Sequence, residues 1–88
     1  MEVAVVVDTL RAFVLDNFLY GRPAGELDND ASFLETGIMD STGIMELIAF
    51  LEEEFHVAVH DNELVPENLD SVNRVAAMLA RKGITDSV

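Results

Sequence analysis

The chain has 88 residues, half of them hydrophobic and a quarter charged, which is enough for one domain with a single core and too ordered a composition for a disordered segment. Seventeen acids against five bases give a formal net charge of −12, and there is no cysteine, so no disulfide contributes. A field of one sign repels nucleic acid and anionic membrane and favours a protein partner with a cationic patch. The bases are Arg11, Arg22, Arg74, Arg81 and Lys82, and 13 acids with no Lys or Arg lie between Arg22 and Arg74. The opening run Met1 to Val7 is apolar but short, lacks basic residues and is followed by Asp8, which reads as neither signal peptide nor membrane span. A cytoplasmic, monomeric protein is the expectation.

In chain order, Val3, Val6, Val7, Leu10, Phe13, Val14 and Phe18 recur at three- and four-residue steps, which predicts a helix from Val3 to Leu19 despite the valines' preference for strands. Tyr20 to Asp30, with Gly21, Pro23 and Gly25, reads as a loop. Ala31 to Met39 reads as a partly buried loop or one short turn, anchored by Phe33 and Leu34. From Ser41 to Phe55 the positions Ile44, Leu47, Ile48, Leu51 and Phe55 share one face, with Met45, Glu46, Ala49 and Glu53 away from it. Ser41 is expected to cap this helix, with Asp40 beside its positive end.

His56 to His60 alternates polar and apolar residues, as an extended connector with Val57 and Val59 inward would. Asp61 to Pro66 predicts a brief helix, capped by Asp61 with Leu64 and Val65 buried. Asp70 or Ser71 caps a final helix to Lys82, whose Val72, Val75, Ala76 and Leu79 face the core and whose stop signal is Gly83. Residues 1–83 form the expected domain and 84–88 a frayed tail. The predicted core is Leu10, Phe13, Val14, Leu47, Ile48, Leu51, Phe55, Val72, Val75 and Leu79.

The one hydroxyl placed with apparent purpose is that of Ser41. Asp40-Ser41-Thr42, then Met45-Glu46-Leu47 and Leu51-Glu52-Glu53-Glu54-Phe55, resembles the modification-site helix of acyl carrier proteins and peptidyl carrier domains. The resemblance extends to Phe33-Leu34-Glu35-Thr36-Gly37 before that helix and to Val59-His60-Asp61 and Pro66 through Val72 after it. It implies an all-α, up-and-down four-helix carrier bundle, with three longer helices, a short third helix and a long first loop.

The resemblance also implies a function. A phosphopantetheinyl transferase moves 4′-phosphopantetheine from coenzyme A to Ser41, and the arm carries acyl, aminoacyl or peptidyl groups as thioesters; the carrier is not an enzyme. Asp40, Thr42, Met45, Glu46, Ala49 and Glu53 form the implied interface for the transferase, an activating ligase and synthase or acyltransferase enzymes. A cargo pocket guarded by Ile44, Leu47, Val59 and Leu64 is expected. Thr42 and Gly43 depart from the leucine and aspartate common after the serine in fatty-acid carriers, and the Gly37 to Asp40 turn is one residue longer than usual. Both departures favour a specialised pathway.

Three rivals are weighed against this. Asp40-Ser41-Thr42-Gly43 half resembles a hydrolase elbow, but Met39 stands where the first glycine belongs. His56 and His60 are spaced for a metal only if helical, which their alternating context opposes, and the Asp28-Asn29-Asp30 run lacks the glycine and glutamate of a calcium loop. The third is an acidic interaction module in which Ser41 is only a helix cap.

Overall fold

The computed structural model describes residues 3–20 and 22–83, and the expected tail at 84–88 lies outside them. Five α-helices and two 3₁₀ turns follow one another: α1 (Val3–Phe18), a turn at Ala24–Glu26, α2 (Phe33–Thr36), α3 (Ser41–Phe55), a turn at Asp61–Glu63, α4 (Pro66–Leu69) and α5 (Val72–Arg81). The described residues contain no strand, so the valine-rich start of α1 is helical. Its Val6, Leu10 and Val14, one turn apart, are fully buried, and the burial of that stripe outweighs the small propensity cost of β-branched side chains. The helix stops at Phe18, one residue short of expectation, although Leu19 remains buried.

All ten predicted core residues lie in the core or pack against it, with Phe13 only half-buried. Val6, Leu19, Leu27, Phe33, Met39, Leu69, Ala76 and Met78 complete the core. Helix α5 packs on both α1 and α4. Ser71 caps α5 by accepting from the Arg74 N–H at 3.1 Å.

The long loop is held by the buried Leu27 and by polar contacts. Arg11 of α1 donates to Leu27 O (2.7 Å), Asn29 Oδ1 (2.6 Å) and Ala24 O (2.6 Å), so one guanidinium gathers the loop's acceptors. At the other side Asn73 donates from its side chain to Asp30 and from its backbone to Asn29 O. Phe33 is buried as expected, but Leu34 is 46% exposed, because the single turn of α2 can turn only one of two neighbouring residues inward.

The segment after α3 also departs from expectation. Asp61 is the first residue of a 3₁₀ turn rather than its cap, and α4 starts only at Pro66, whose fixed φ suits a first helical position. Leu64 and Val65 are 40% and 36% exposed, not buried. Lys82 donates to both carboxylate oxygens of Glu63, at 2.8 and 3.0 Å, and the His60 N–H donates to Oε1. The Lys82 hydrogen bond first, then that of His60, holds the Glu63 carboxyl below its ordinary value of 4.5.

Candidate functional site

Two adjacent residues, Asp40 and Ser41, can each cap a helix, and the structure selects Asp40. Its backbone is extended, its Oδ1 accepts from the Gly43 N–H at 2.8 Å, and its carbonyl accepts the first helical bond from Ile44 N at 2.9 Å. Ser41 is therefore the first helical residue, not the cap, and it is exposed. This corrects both the expected cap and the rival reading in which capping is all that Ser41 does. An Asp40→Ala protein is expected to lose about 1 kcal/mol of stability, as for other helix caps. Ser41→Ala should stay within about 0.5 kcal/mol of the parent. Equal losses in paired thermal melts would show that the serine shares the capping role.

The hydroxyl opens onto an apolar groove of about 310 Å³ between α3 and the α4 segment. Ser41, Ile44, Met45 and Ile48 contribute from α3, faced by Leu64, Val65, Pro66 and Leu69, with Leu34 at the α2 side. The i, i+3, i+4 spacing from Ser41 is what aligns these residues on one flank. Of the four residues expected around a cargo pocket, Ile44 and Leu64 line this groove, and Leu47 and Val59 do not. Leu47 is 1% exposed in the core, since one residue before Ile48 is a rotation of roughly 100°. Val59 packs half-buried against the core, and its N–H donates to Glu52 at 3.0 Å.

Gly43, one of the two departures after the serine, is buried against Phe18 and Met39. A Cβ there would stand 3.0 Å from the Phe18 ring and 3.1 Å from Met39 Cβ. The ring can move, but Met39 Cβ is fixed by the backbone. Gly43→Ala is thus expected to destabilise by about 1 kcal/mol, overpacking outweighing the helix propensity gained. A raised melting temperature would contradict the close approach.

The turn that presents Ser41 is tied to the α4–α5 junction by Asp70. This buried carboxylate accepts from Ser32 Oγ and from the Leu34 N–H at 3.0 Å, while its carbonyl accepts from Phe33 N at 2.8 Å. Ser32 in turn caps α2 by accepting from Glu35 N. Asp70 was a cap candidate for α5 in the sequence, yet it serves the Ser41 side of the molecule. Ser32 and Glu35 carry the S-x-x-E spacing of a helix start, a signal that could have located α2.

The six expected interface residues, Asp40, Thr42, Met45, Glu46, Ala49 and Glu53, are all exposed. Every base is engaged elsewhere: Arg22 with Glu26, Arg74 with Pro66 O, Arg81 with Asn68, and Arg11 and Lys82 as above. The acids of α3 therefore face outward without a cation from the same chain beside them. His56 leaves α3 in a left-handed conformation, and the stretch to His60 is not helical, so the two-histidine helical geometry does not form. No helix is long and apolar enough to cross a membrane among the described residues.

A helix N-terminus suits a phosphodiester, because its free N–H groups and dipole favour an anion. An exposed hydroxyl there, spared from capping and set beside an apolar groove, fits a covalent phosphate-linked arm. Residues 19–79 match the family model described as "Phosphopantetheine attachment site". The chain is 32% identical over 68 residues to "Probable acyl carrier protein PigG" of Serratia sp. (strain ATCC 39006), covering 77% of each. It also superposes, with TM-score 0.69 and 30% identity, on a chain of the structure entitled "Crystal structure of FAD-dependent dehydrogenase", covering 80% of this chain and 97% of that one. With a small all-helical bundle that offers a serine hydroxyl at the start of its acidic helix, the chain belongs to the phosphopantetheine-attachment family of acyl and peptidyl carriers, which bear that group covalently and catalyse no reaction themselves.

Proposed function

We propose that Ser41 is the attachment residue and that the chain carries acyl or aminoacyl groups as thioesters in a specialised lipid or secondary-metabolite pathway. The observation that carries this reading is the exposed Ser41 hydroxyl, relieved of capping by Asp40 and opening onto the groove. The arm supplies a terminal thiol, which a chain without cysteine does not have. The α3 N–H groups stabilise the phosphodiester, and Ile44, Met45, Ile48, Leu64, Val65 and Leu69 exclude water from a cargo folded back against them.

Asp40, Thr42, Met45, Glu46, Ala49 and Glu53 present acids around small apolar contacts, the complement of a cationic, partly greasy groove. The proposed partners are a phosphopantetheinyl transferase, an acyl- or aminoacyl-activating ligase, and synthase or acyltransferase enzymes, met as a monomer in the cytoplasm. The similar chain in a structure entitled for an FAD-dependent dehydrogenase supports adding such a dehydrogenase to these partners. Mass spectrometry of the protein purified from its producing cells tests the reading. A Ser41 peptide bearing the arm plus a cargo released by neutral hydroxylamine, with the arm left in place, is expected; a cargo on the arm that is stable to hydroxylamine, or a persistently bare Ser41, would contradict it.

A further inference from the structure

Helix α3 has two flanks, and the groove at Ser41 occupies only one. On the other flank, where α3 meets α1, lies a shallow hollow of about 460 Å³. Phe13 of α1 and Phe50 of α3 stack in it at 4.1 Å between ring centroids, with exposed Ala12 and Val5 (48% exposed) and the polar Thr9 also lining it. The rim is acidic, with Asp8 and Asp16 on α1 and Glu54 on α3. No base lines it, and all five bases donate to other parts of the fold.

We propose that this α1–α3 seam is a second docking surface, which takes a basic amphipathic helix of a partner protein and leaves Ser41 free. Charge complementarity selects the occupant, since a greasy floor inside a rim of one sign is matched by an apolar stripe flanked by Lys or Arg. A hollow running between two helices suits a helix as guest. Asp8 and Asp16 lie eight residues, or roughly 12 Å, apart on α1, which asks for basic residues two turns apart on the partner. Phe50 and Glu54 are one turn apart on the flank opposite Ile44 and Ile48, so both surfaces can be occupied at once. A carrier held there keeps its arm available to successive enzymes. The surface does not depend on Ser41 being modified.

The test is a titration of the ¹⁵N-labelled full chain with a synthetic 18-residue helical peptide, leucine and alanine on one face and lysines two turns apart at its edges. Saturable amide shifts centred on Val5, Ala12, Phe13 and Phe50 are expected. D8K/D16K should weaken binding at least tenfold, and A12Q, which blocks the floor without changing its charge, should do likewise. E46K/E53K should change it by less than twofold. Shifts centred on Met45, Glu46 and Glu53, no saturable binding, or equal affinity in D8K/D16K would overturn the proposal. So would self-association of the chain alone through the same residues, which would make a second copy the occupant.

Discussion

Asp70→Ala is expected to lower the thermal midpoint by roughly 10–20 °C. The substitution leaves the Leu34 N–H and the Ser32 hydroxyl without their acceptor in a partly buried site, and such losses cost about 1–3 kcal/mol each. For a domain of this size each kcal/mol moves the midpoint by about 4–8 °C. The damage spreads because Ser32 also caps α2, whose buried Phe33 accepts from the Met39 N–H just before the Asp40 cap. Asp70→Asn retains an acceptor for Leu34 and a polar partner for Ser32, so about half of the loss should return. A midpoint within 2 °C of the parent in the alanine variant, measured by circular dichroism, would show that the carboxylate does not hold the loop.

E46K/E53K should lower kcat/KM for loading by a phosphopantetheinyl transferase by about ten- to a hundredfold at low ionic strength, through loss of steering on an uncompensated acidic face. The defect should shrink with salt, as the Debye length falls from about 10 Å at 0.1 M to about 3 Å at 1 M. The midpoint should hold or rise, because both side chains are exposed and the chain carries a net charge of −12. A loading rate equal to the parent's at both salt concentrations would remove Glu46 and Glu53 from the interface.

The helices were legible because their buried residues repeat one turn apart, as in Val6-Leu10-Val14 and Leu47-Leu51-Phe55. Ser41 was legible through Asp40 and the acidic helix behind it. Less so were apolar residues that serve a groove rather than a core: Leu34, Leu64 and Val65 have the same composition signal whether they face inward or line an opening. The cap was ambiguous because Asp and Ser cap equally well, and only the extended backbone of Asp40 decides between them. Arg11 and Asp70 hold the loop across 13 to 38 residues of sequence, a range at which periodicity carries no information. Gly43 needed the positions of Phe18 and Met39 before its lack of a side chain made sense.

The central claim is that Ser41 is a hydroxyl kept free for a covalent arm. Intact mass after incubation with coenzyme A and a broad-specificity phosphopantetheinyl transferase tests it most directly: the parent should gain one phosphopantetheine, and a folded Ser41→Ala protein should gain none. A parent that stays bare with an active transferase, or an alanine variant that is loaded as well, would contradict it.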